Sequence, residues 1–414
     1  MRDKELYAAI LGVRSPWKVV EVALDSKSEE VHVLIRAESG TRFGCPTCGT
    51  PCAGYDTRRR AWRHLDTCQF KTILEADVPR VECSEHGVLQ IEVPWAEPNS
   101  GFTALMEALV IDWLKEASIQ AVSRRLRLSW DQIDGVMQRA VRRGLERREL
   151  QVLRHIGVDE TSFQKRHEYV TVVSDRDGGV VHVADGHRQE ALDGFWKTLT
   201  PEQLEGIESV AMDMWPAYIN STKKHVPSGE AKIAFDRFHV ASAINDAVNE
   251  VRKREHRELM AEGDRVLSRT KYVWVKNPEN HTDRQGQIFD LLKDLGLKVA
   301  RAWAIKETAR GLWNYKTRGW AERGWKRWIA WAQRSRLEPM RRVARTVKRH
   351  LWGILNAVVL RVTNARAEGL NAKIQRLKSV AHGFRNRERF RDAIYFHCGN
   401  LDLYPAGLPT HTRS

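Results

Sequence analysis

Two aspartates, one glutamate and a Cys/His quartet are the residues of this sequence whose types and spacing could do chemistry. Asp159 and Asp213 each close a β-branched run, Val152–Asp159 and Ile207–Asp213. A single strand-end aspartate is ordinarily a turn or cap residue. Two at matching ends of neighbouring strands are costly to ionise together unless a cation lies between them. Two divalent ions roughly 3.5–4 Å apart can clamp the attacking and leaving oxygens of an in-line phosphoryl displacement, and carboxylate oxygens suit Mg²⁺ or Mn²⁺. Such a site calls for a third acid from a later helix. Glu368 is the only acid between Glu338 and Glu388 and opens a helical stretch in basic surroundings. Its ordinary reading is a partner of the helix dipole; a metal-ligand role also fits.

The quartet consists of Cys45-Pro-Thr-Cys48 and Cys83-Ser-Glu-His86, each with two residues between its members. Four N/S ligands in two such pairs describe a closed, structural Zn²⁺ site. Five of the six cysteines lie between Cys45 and Cys83, which points to a local metal site rather than a disulfide framework. Cys52 and Cys68 are left over. Between the pairs, Thr57–His64 is basic and aromatic, either a solvated strand edge or a phosphate contact.

The elements that must position the acids follow from the pattern. Strands are predicted at Val152–Asp159, Tyr169–Asp175 and Gly179–Asp185, with Asp-Arg-Asp-Gly-Gly turning the second into the third. A helix at Arg188–Leu199, a strand at Ile207–Asp213, a helix from Trp215 to His225 and a strand at Ala231–Asp236 follow. The order β-β-β-α-β-α-β is the ribonuclease-H-like layout, with the first strand central and beside the fourth. Asp236 and His239 share one face of the turn after the fifth strand. They read as capping, as support for the metal-binding aspartates, or, for Asp236, as a ligand in place of Asp213.

Upstream, residues 87–102 read as a linker and Thr103–Arg143 as helical, with Leu105, Leu109 and Leu114 as the stripe of a first helix. Ser118 and Ser129 cap two further helices around a short Arg127-Leu128 turn, a helix-turn-helix pattern. Trp130 and Gln132, with Asp131 and Asp134, would meet base edges, and Arg124, Arg125 and Arg127 phosphates. From Ala241 to Val362 the pattern is all-helical, with eight of the 15 tryptophans; most would fill a core and one or two would stack bases. In the helix after Thr363, Leu370, Ile374 and Leu377 form a buried stripe, while Glu368, Asn371 and Gln375 share a polar face. Lys373, Arg385 and Arg387 belong to a basic stretch expected along DNA. The residues after Leu401 read as frayed.

Lys plus Arg exceed Asp plus Glu by 68 to 53, a formal charge of +15 over 414 residues, which favours a polyanionic partner, nucleic acid first. No apolar run of membrane-spanning length occurs, and the start of the chain is too weakly apolar for a signal peptide, so a cytoplasmic location is expected.

The stretches GVDETSF, YVTVVSD, SVAMDMWPAYI, IAFDRFHV, TNARAEGLNAKIQRLK and HGFRNRERFR resemble the catalytic core of ISL-three-type bacterial insertion-sequence transposases. The CPTCG knuckle and the helix-turn-helix resemble that family's upstream modules, and the likeness spans Cys45 to His397. It implies a DDE enzyme with Asp159, Asp213 and Glu368 as the triad and residues 241–362 as an insertion before the glutamate. The sequence departs in its Cys-x-x-His second pair, where relatives often carry two cysteines, and in Asn-Ala-Arg-Ala before Glu368.

The expected protein is therefore a multidomain α+β chain: a zinc-binding module (1–100), a helix-turn-helix domain (101–150), and a ribonuclease-H-like α/β core (151–240 and 363–400) interrupted by an all-α insertion (241–362). It would bind terminal inverted repeats in double-stranded DNA. With Mg²⁺ or Mn²⁺ it would cut and join strands as a nucleoid-associated dimer or larger assembly. The alternatives are an inactive or domesticated DNA-binding protein and a nuclease of the same fold that does not join strands.

Overall fold

The computed structural model describes residues 3–149, 153–164, 168–175, 179–361, 365–406 and 408, with backbone alone at 164 and 365–368. The chain divides into two compact units. The first comprises residues 1–148, 395–397 and 401–414, and the second comprises residues 149–394 and 398–400.

The first unit opens with helix α1 (Asp3–Leu11) and a sheet of β1 (Trp17–Asp25), β2 (Glu30–Ala37), β3 (Ala53–Thr67), β4 (Phe70–Cys83) and β5 (Gly87–Gln90). The strand order is β1-β2-β4-β3, with β5 on β4. Alternation along β4 buries Leu74, Ala76 and Val78 on one face. Trp17, Trp62 and Trp95 meet edge to face at 5.0 and 5.6 Å within this core. The β3–β4 hairpin turns through Cys68 and Gln69, at φ 49° and 76°, so Cys68 is an exposed turn residue. The expected linker is structured: β5 occupies its start, and Ile91 and Trp95 are buried.

Three helices follow, α2 (Ala104–Glu116), α3 (Ile119–Leu126) and α4 (Trp130–Arg147). Ser118 Oγ accepts from the Ala121 N–H, and Ser129 and Gln132 close a capping box at the start of α4. The buried face of α2 carries Met106, Val110, Ile111 and Leu114. Leu105 and Leu109 of the expected stripe are half-buried and pack against the same core as the buried Leu114. Leu403, Tyr404 and Leu408 are buried in this helical core. The expected fraying after Leu401 is thus corrected for residues 402–406 and 408, where three apolar residues dock and the Arg143 guanidinium bonds the Leu403 carbonyl, while 407 and 409–414 lie outside the described residues.

The second unit holds β6 (His155–Gln164), β7 (Glu168–Asp175), β8 (Gly179–Asp185), α5 (Gln189–Trp196), α6 (Pro201–Glu205), β9 (Ser209–Met212), α7 (Pro216–His225), α8 (Gly229–Lys232) and β10 (Ile233–Phe235). The order is β10-β9-β6-β7-β8. The β6–β7 and β7–β8 pairs are antiparallel, and β6–β9 and β9–β10 are parallel. The predicted first strand ends at Asp159; β6 runs on to Gln164, since Thr161 and Phe163 alternate inward while Glu160 and Ser162 do not.

After β10 the described residues up to 361 form only helices: α9 (Arg237–Ala261), α10 (Lys271–Val275), a 3-10 turn (Pro278–Asn280), α11 (Asp283–Leu292), α12 (Lys298–Leu312), α13 (Arg318–Arg334), α14 (Glu338–Arg349) and α15 (Leu351–Leu360). They share one apolar core with the sheet. At Gly353 of α15 an added Cβ would lie 2.4 Å from the Phe235 ring, so only glycine lets the helix approach β10. Trp274, Trp325 and Trp328 are fully buried, whereas Trp320 and Trp331 are exposed. The last helices are α16 (Ala365–Val380) and α17 (Arg387–Cys398). No helix among the described residues is long and apolar enough to cross a membrane.

Candidate active site and zinc cluster

The sheet register aligns three aspartates. Gly157 of β6 pairs with Ala211 of β9, and Ala234 of β10 pairs with the same residue. Two residues further along each strand stand Asp159, Asp213 and Asp236. Asp159 and Asp213 are half-buried, and this burial, the largest influence, pushes both carboxyls above the usual range. Asp236 raises both further, and Asp159 raises Asp213; His239 pulls both down. Glu160 is raised by burial first, then by Asp213 and Asp159. Like charges are therefore gathered where water is scarce, and only His239 and His187 supply opposing charge among these influences.

Each aspartate is oriented by backbone. Asp159 Oδ1 accepts from the Glu160 N–H at 2.7 Å and Oδ2 from the Asn371 amide. Asp213 Oδ1 accepts from the Trp215 N–H at 3.0 Å, and Asp236 Oδ1 from the Phe238 N–H at 2.9 Å. Asp236 is thus the N-cap of α9, with His239 Nε2 3.8 Å from its other oxygen. Beneath the cluster, the Tyr218 hydroxyl bonds Thr171 Oγ1 at 2.9 Å, and burial and the nearby acids hold it un-ionised.

The polar face of α16 lies along β6. Asn371 reaches Asp159, Gln375 Nε2 donates to Thr161 Oγ1 at 2.9 Å, and Lys378 Nζ donates to the Ser162 carbonyl at 2.6 Å. Ile374, between them at helical spacing, is fully buried. Glu368 belongs to α16, but its side chain lies outside the described residues. Glu160, His187 and Tyr218 escaped the sequence reading. The acid directly after Asp159 was the available signal.

In the first unit Cys45, Cys48, Cys83 and His86 bring their ligand atoms within 4.8 Å of one another. Cys48 Sγ lies 3.8 Å from Cys83 Sγ, and Cys83 Sγ 3.5 Å from His86 Nδ1. A tetrahedral ion with Zn–S bonds of about 2.3 Å has edges of about 3.8 Å, so the quartet fits zinc. Cys52 donates to the Thr50 carbonyl at 3.1 Å, and burial with its cysteine neighbours raises its thiol.

The expected DNA-contacting side chains differ in availability. Arg124 is exposed. Arg125 sits over the Trp113 ring at 5.5 Å. Arg127, at φ 53°, donates to Asp66 at 2.7 Å and to the Gln69 carbonyl at 2.6 Å, fastening α3 to the β3–β4 hairpin. Gln132 spends its carbonyl oxygen on the capping box, and Trp130 is half-buried. Asp134 is buried, accepting from Gln138. Lys373 and Arg385 are exposed, and Arg387 pairs with Glu168 at 3.1 Å.

Comparison with known proteins agrees over most of the chain. Residues 156–394 match a family model described as transposase. Residues 91–141 match the helix-turn-helix domain of transposase family ISL3, and residues 41–86 the zinc-finger of transposase IS204/IS1001/IS1096/IS1165. The transposase for insertion sequence element IS1557 of Mycobacterium tuberculosis is 30% identical, the match covering 93% of each chain. The transposase for insertion sequence element IS1001 of Bordetella parapertussis is 25% identical, over 84% of this chain and 86% of its own. With its zinc finger, its helix-turn-helix and its transposase core all matched in order, the chain belongs to the ISL3 family of DDE insertion-sequence transposases.

Proposed function

We propose that Asp159, Asp213 and Glu368 are the acid triad of this insertion-sequence transposase and bind the divalent cations, Mg²⁺ or Mn²⁺, that its strand cleavage and strand transfer require. The observation that carries the reading is the alignment of Asp159 and Asp213 on adjacent parallel strands with both carboxyls raised, by burial first and then by neighbouring acids, Asp236 for both and Asp159 for Asp213. A bound cation would offset that repulsion and would polarise the attacking water or 3′-OH. The residues of the chain do the rest. The Glu160 and Trp215 N–H groups orient the two aspartates, and among the described residues the hydrogen bond to Asp213 engages Oδ1, so that Oδ2 would be offered to a ligand. Asn371 holds α16 to Asp159, and Glu368 stands three positions earlier in that helix. Asp236 and His239 support the pair, with Asp236 capping α9.

On this reading the five-stranded sheet is the ribonuclease-H-like core, supported by its order β10-β9-β6-β7-β8. Residues 241–362 are its all-α insertion, and 363–400 return the glutamate. Residues 1–100 and 101–150 bind the terminal inverted repeats, with Arg124, Arg125, Trp130 and Gln132 toward the duplex. Pairing two ends needs a dimer or larger assembly on DNA, and the enzyme acts in the bacterial cytoplasm, on the nucleoid.

The test is one mixture of purified protein with labelled DNA carrying its own flanking repeat, in Mg²⁺ and then in EDTA. Cation-dependent nicking and joining at the repeat boundary are expected. Asp159→Asn, Asp213→Asn and Glu368→Gln should each lower cleavage below detection while end binding persists. A variant that still cleaves removes that residue from the triad. Cleavage without joined product would make the protein a nuclease.

A further inference from the structure

We propose that Trp215 and Phe238 form an aromatic clamp that stacks on a nucleobase flanking the scissile phosphate. The inference rests on the reading of the aspartate cluster as the reacting site. Both residues are large, apolar and open to solvent, Trp215 40% and Phe238 56% exposed. Both stand two positions after an acid of the cluster, and in both cases the acid accepts the aromatic residue's own N–H, at 3.0 Å for Asp213 and 2.9 Å for Asp236. The same turn is therefore built twice, at the ends of the neighbouring parallel strands β9 and β10, whose last paired residues are Met212 and Phe235. The register thus brings the two turns, each carrying an exposed aromatic residue, to the ends of adjacent strands at the level of the acids.

Their surroundings favour a flat partner. The Trp215 indole N–H donates to the His187 carbonyl at 2.9 Å, which sets the ring plane. The His187 ring lies 5.6 Å from it and the Tyr169 ring 5.0 Å from His187. Phe238 leans toward His239 at 6.1 Å. A hydrophobic core role does not account for either residue: the buried positions of the adjoining helices are Tyr218 and Ile219 in α7 and Val240 and Ile244 in α9. The substrate of a transposase is DNA, and its scissile phosphate must come to these acids. Trp215 is bonded through its N–H to Asp213 of the proposed triad and Phe238 to Asp236 beside it, so the bases flanking that phosphate would approach the end of the sheet that carries both rings. Every base has a π-face, so stacking there tolerates any flanking sequence. It would hold the strand against sliding while both chemical steps proceed.

The experiment uses the full chain and a duplex that spans the repeat boundary, with 2-aminopurine placed in turn at each nucleotide flanking the cleavage position. In Ca²⁺ the wild type should change the fluorescence at one or two positions. Phe238→Ala and Trp215→Ala should remove the change, and Trp215→Phe should retain most of it. In Mg²⁺ the alanine variants should cleave intact DNA roughly 5- to 150-fold more slowly, the range for loss of one base–aromatic stack. On DNA made abasic at the responding position they should match the wild type. Defects of equal size on intact and abasic DNA would assign the aromatics a structural role and overturn the clamp. Wild-type fluorescence that is the same at every position would also overturn it. A wild type that binds but does not cleave would defeat the triad instead, and the fluorescence arm would still decide the stacking.

Discussion

Asp159 enters the site with both oxygens already engaged, one by the Glu160 N–H and one by the Asn371 amide. The second bond comes from a side chain more than two hundred residues away, so it reports whether α16 is seated on β6. A hydrogen bond to a buried carboxylate contributes about 1.5–3 kcal/mol. Asn371→Ala should therefore raise the Asp159 carboxyl further and slow single-turnover cleavage by about 10- to 100-fold. Higher Mn²⁺ should restore part of the rate, and end binding in a gel shift should be unchanged. Wild-type rates in this variant would remove Asn371 from the site. The arginines before α4 part company in the same way. Arg124 is exposed, whereas Arg127 is bonded to Asp66 and Gln69. Arg124→Ala should reduce the slope of log affinity against log salt by about 1. Arg127→Ala should lower the melting temperature of the first unit and leave that slope nearly unchanged.

At the scale of elements, the β3 strand of the zinc module is joined to the start of α2 by His64 and Thr103, 2.9 Å apart. Thr103 Oγ1 also accepts from the Met106 N–H, so its own proton is available for a neutral imidazole. Burial, and then Arg63, lower the His64 pKa from 6.5 to about 4. Above pH 6.5 the ring is neutral folded and unfolded, and it has no effect. Between pH 6.5 and 4 the unfolded chain takes up a proton that the folded chain refuses, so stability falls as pH falls, by up to about 3 kcal/mol. Thermal melts at pH 7 and 5 should show a larger drop for wild type than for His64→Asn; equal drops would show that His64 does not govern the acid side. Strand and helix identity were legible here because alternation and capping are local: Ser118, Ser129 and the β-branched runs sufficed. Ends were less so. Thr161 and Phe163 carry β6 past Asp159 because β7 is there to pair with, which no local pattern encodes. Which tryptophans face solvent was likewise fixed by helix packing, not by spacing, and the Glu160–His187–Tyr218 surroundings of the aspartates exist only once distant strands are adjacent.

At the scale of the whole molecule, two metal requirements fall in different units: the Cys/His quartet in the first and the aspartate cluster in the second. Structural zinc binds with about 10–16 kcal/mol of apparent free energy at pH 7 and supplies folding free energy directly. Cys45 and Cys83 sit inside the apolar core of the N-terminal sheet, so loss of the ion would expose that core as well as the knuckles. A zinc-selective chelator should therefore remove the first unit's melting transition and abolish preference for the repeat over unrelated DNA. The chain's net charge of +15 should preserve salt-sensitive, sequence-independent binding. The second unit's transition should persist, since its sheet and helices share a separate core. Withholding Mg²⁺ should do the reverse: both transitions and repeat preference remain and only cleavage is lost. Calorimetry and a competition gel shift under the two treatments separate these outcomes. If chelation left repeat preference intact, the quartet would not be what holds the DNA-reading unit together, and Arg143 with its partners Glu97 and Glu107 would carry that stability without the ion.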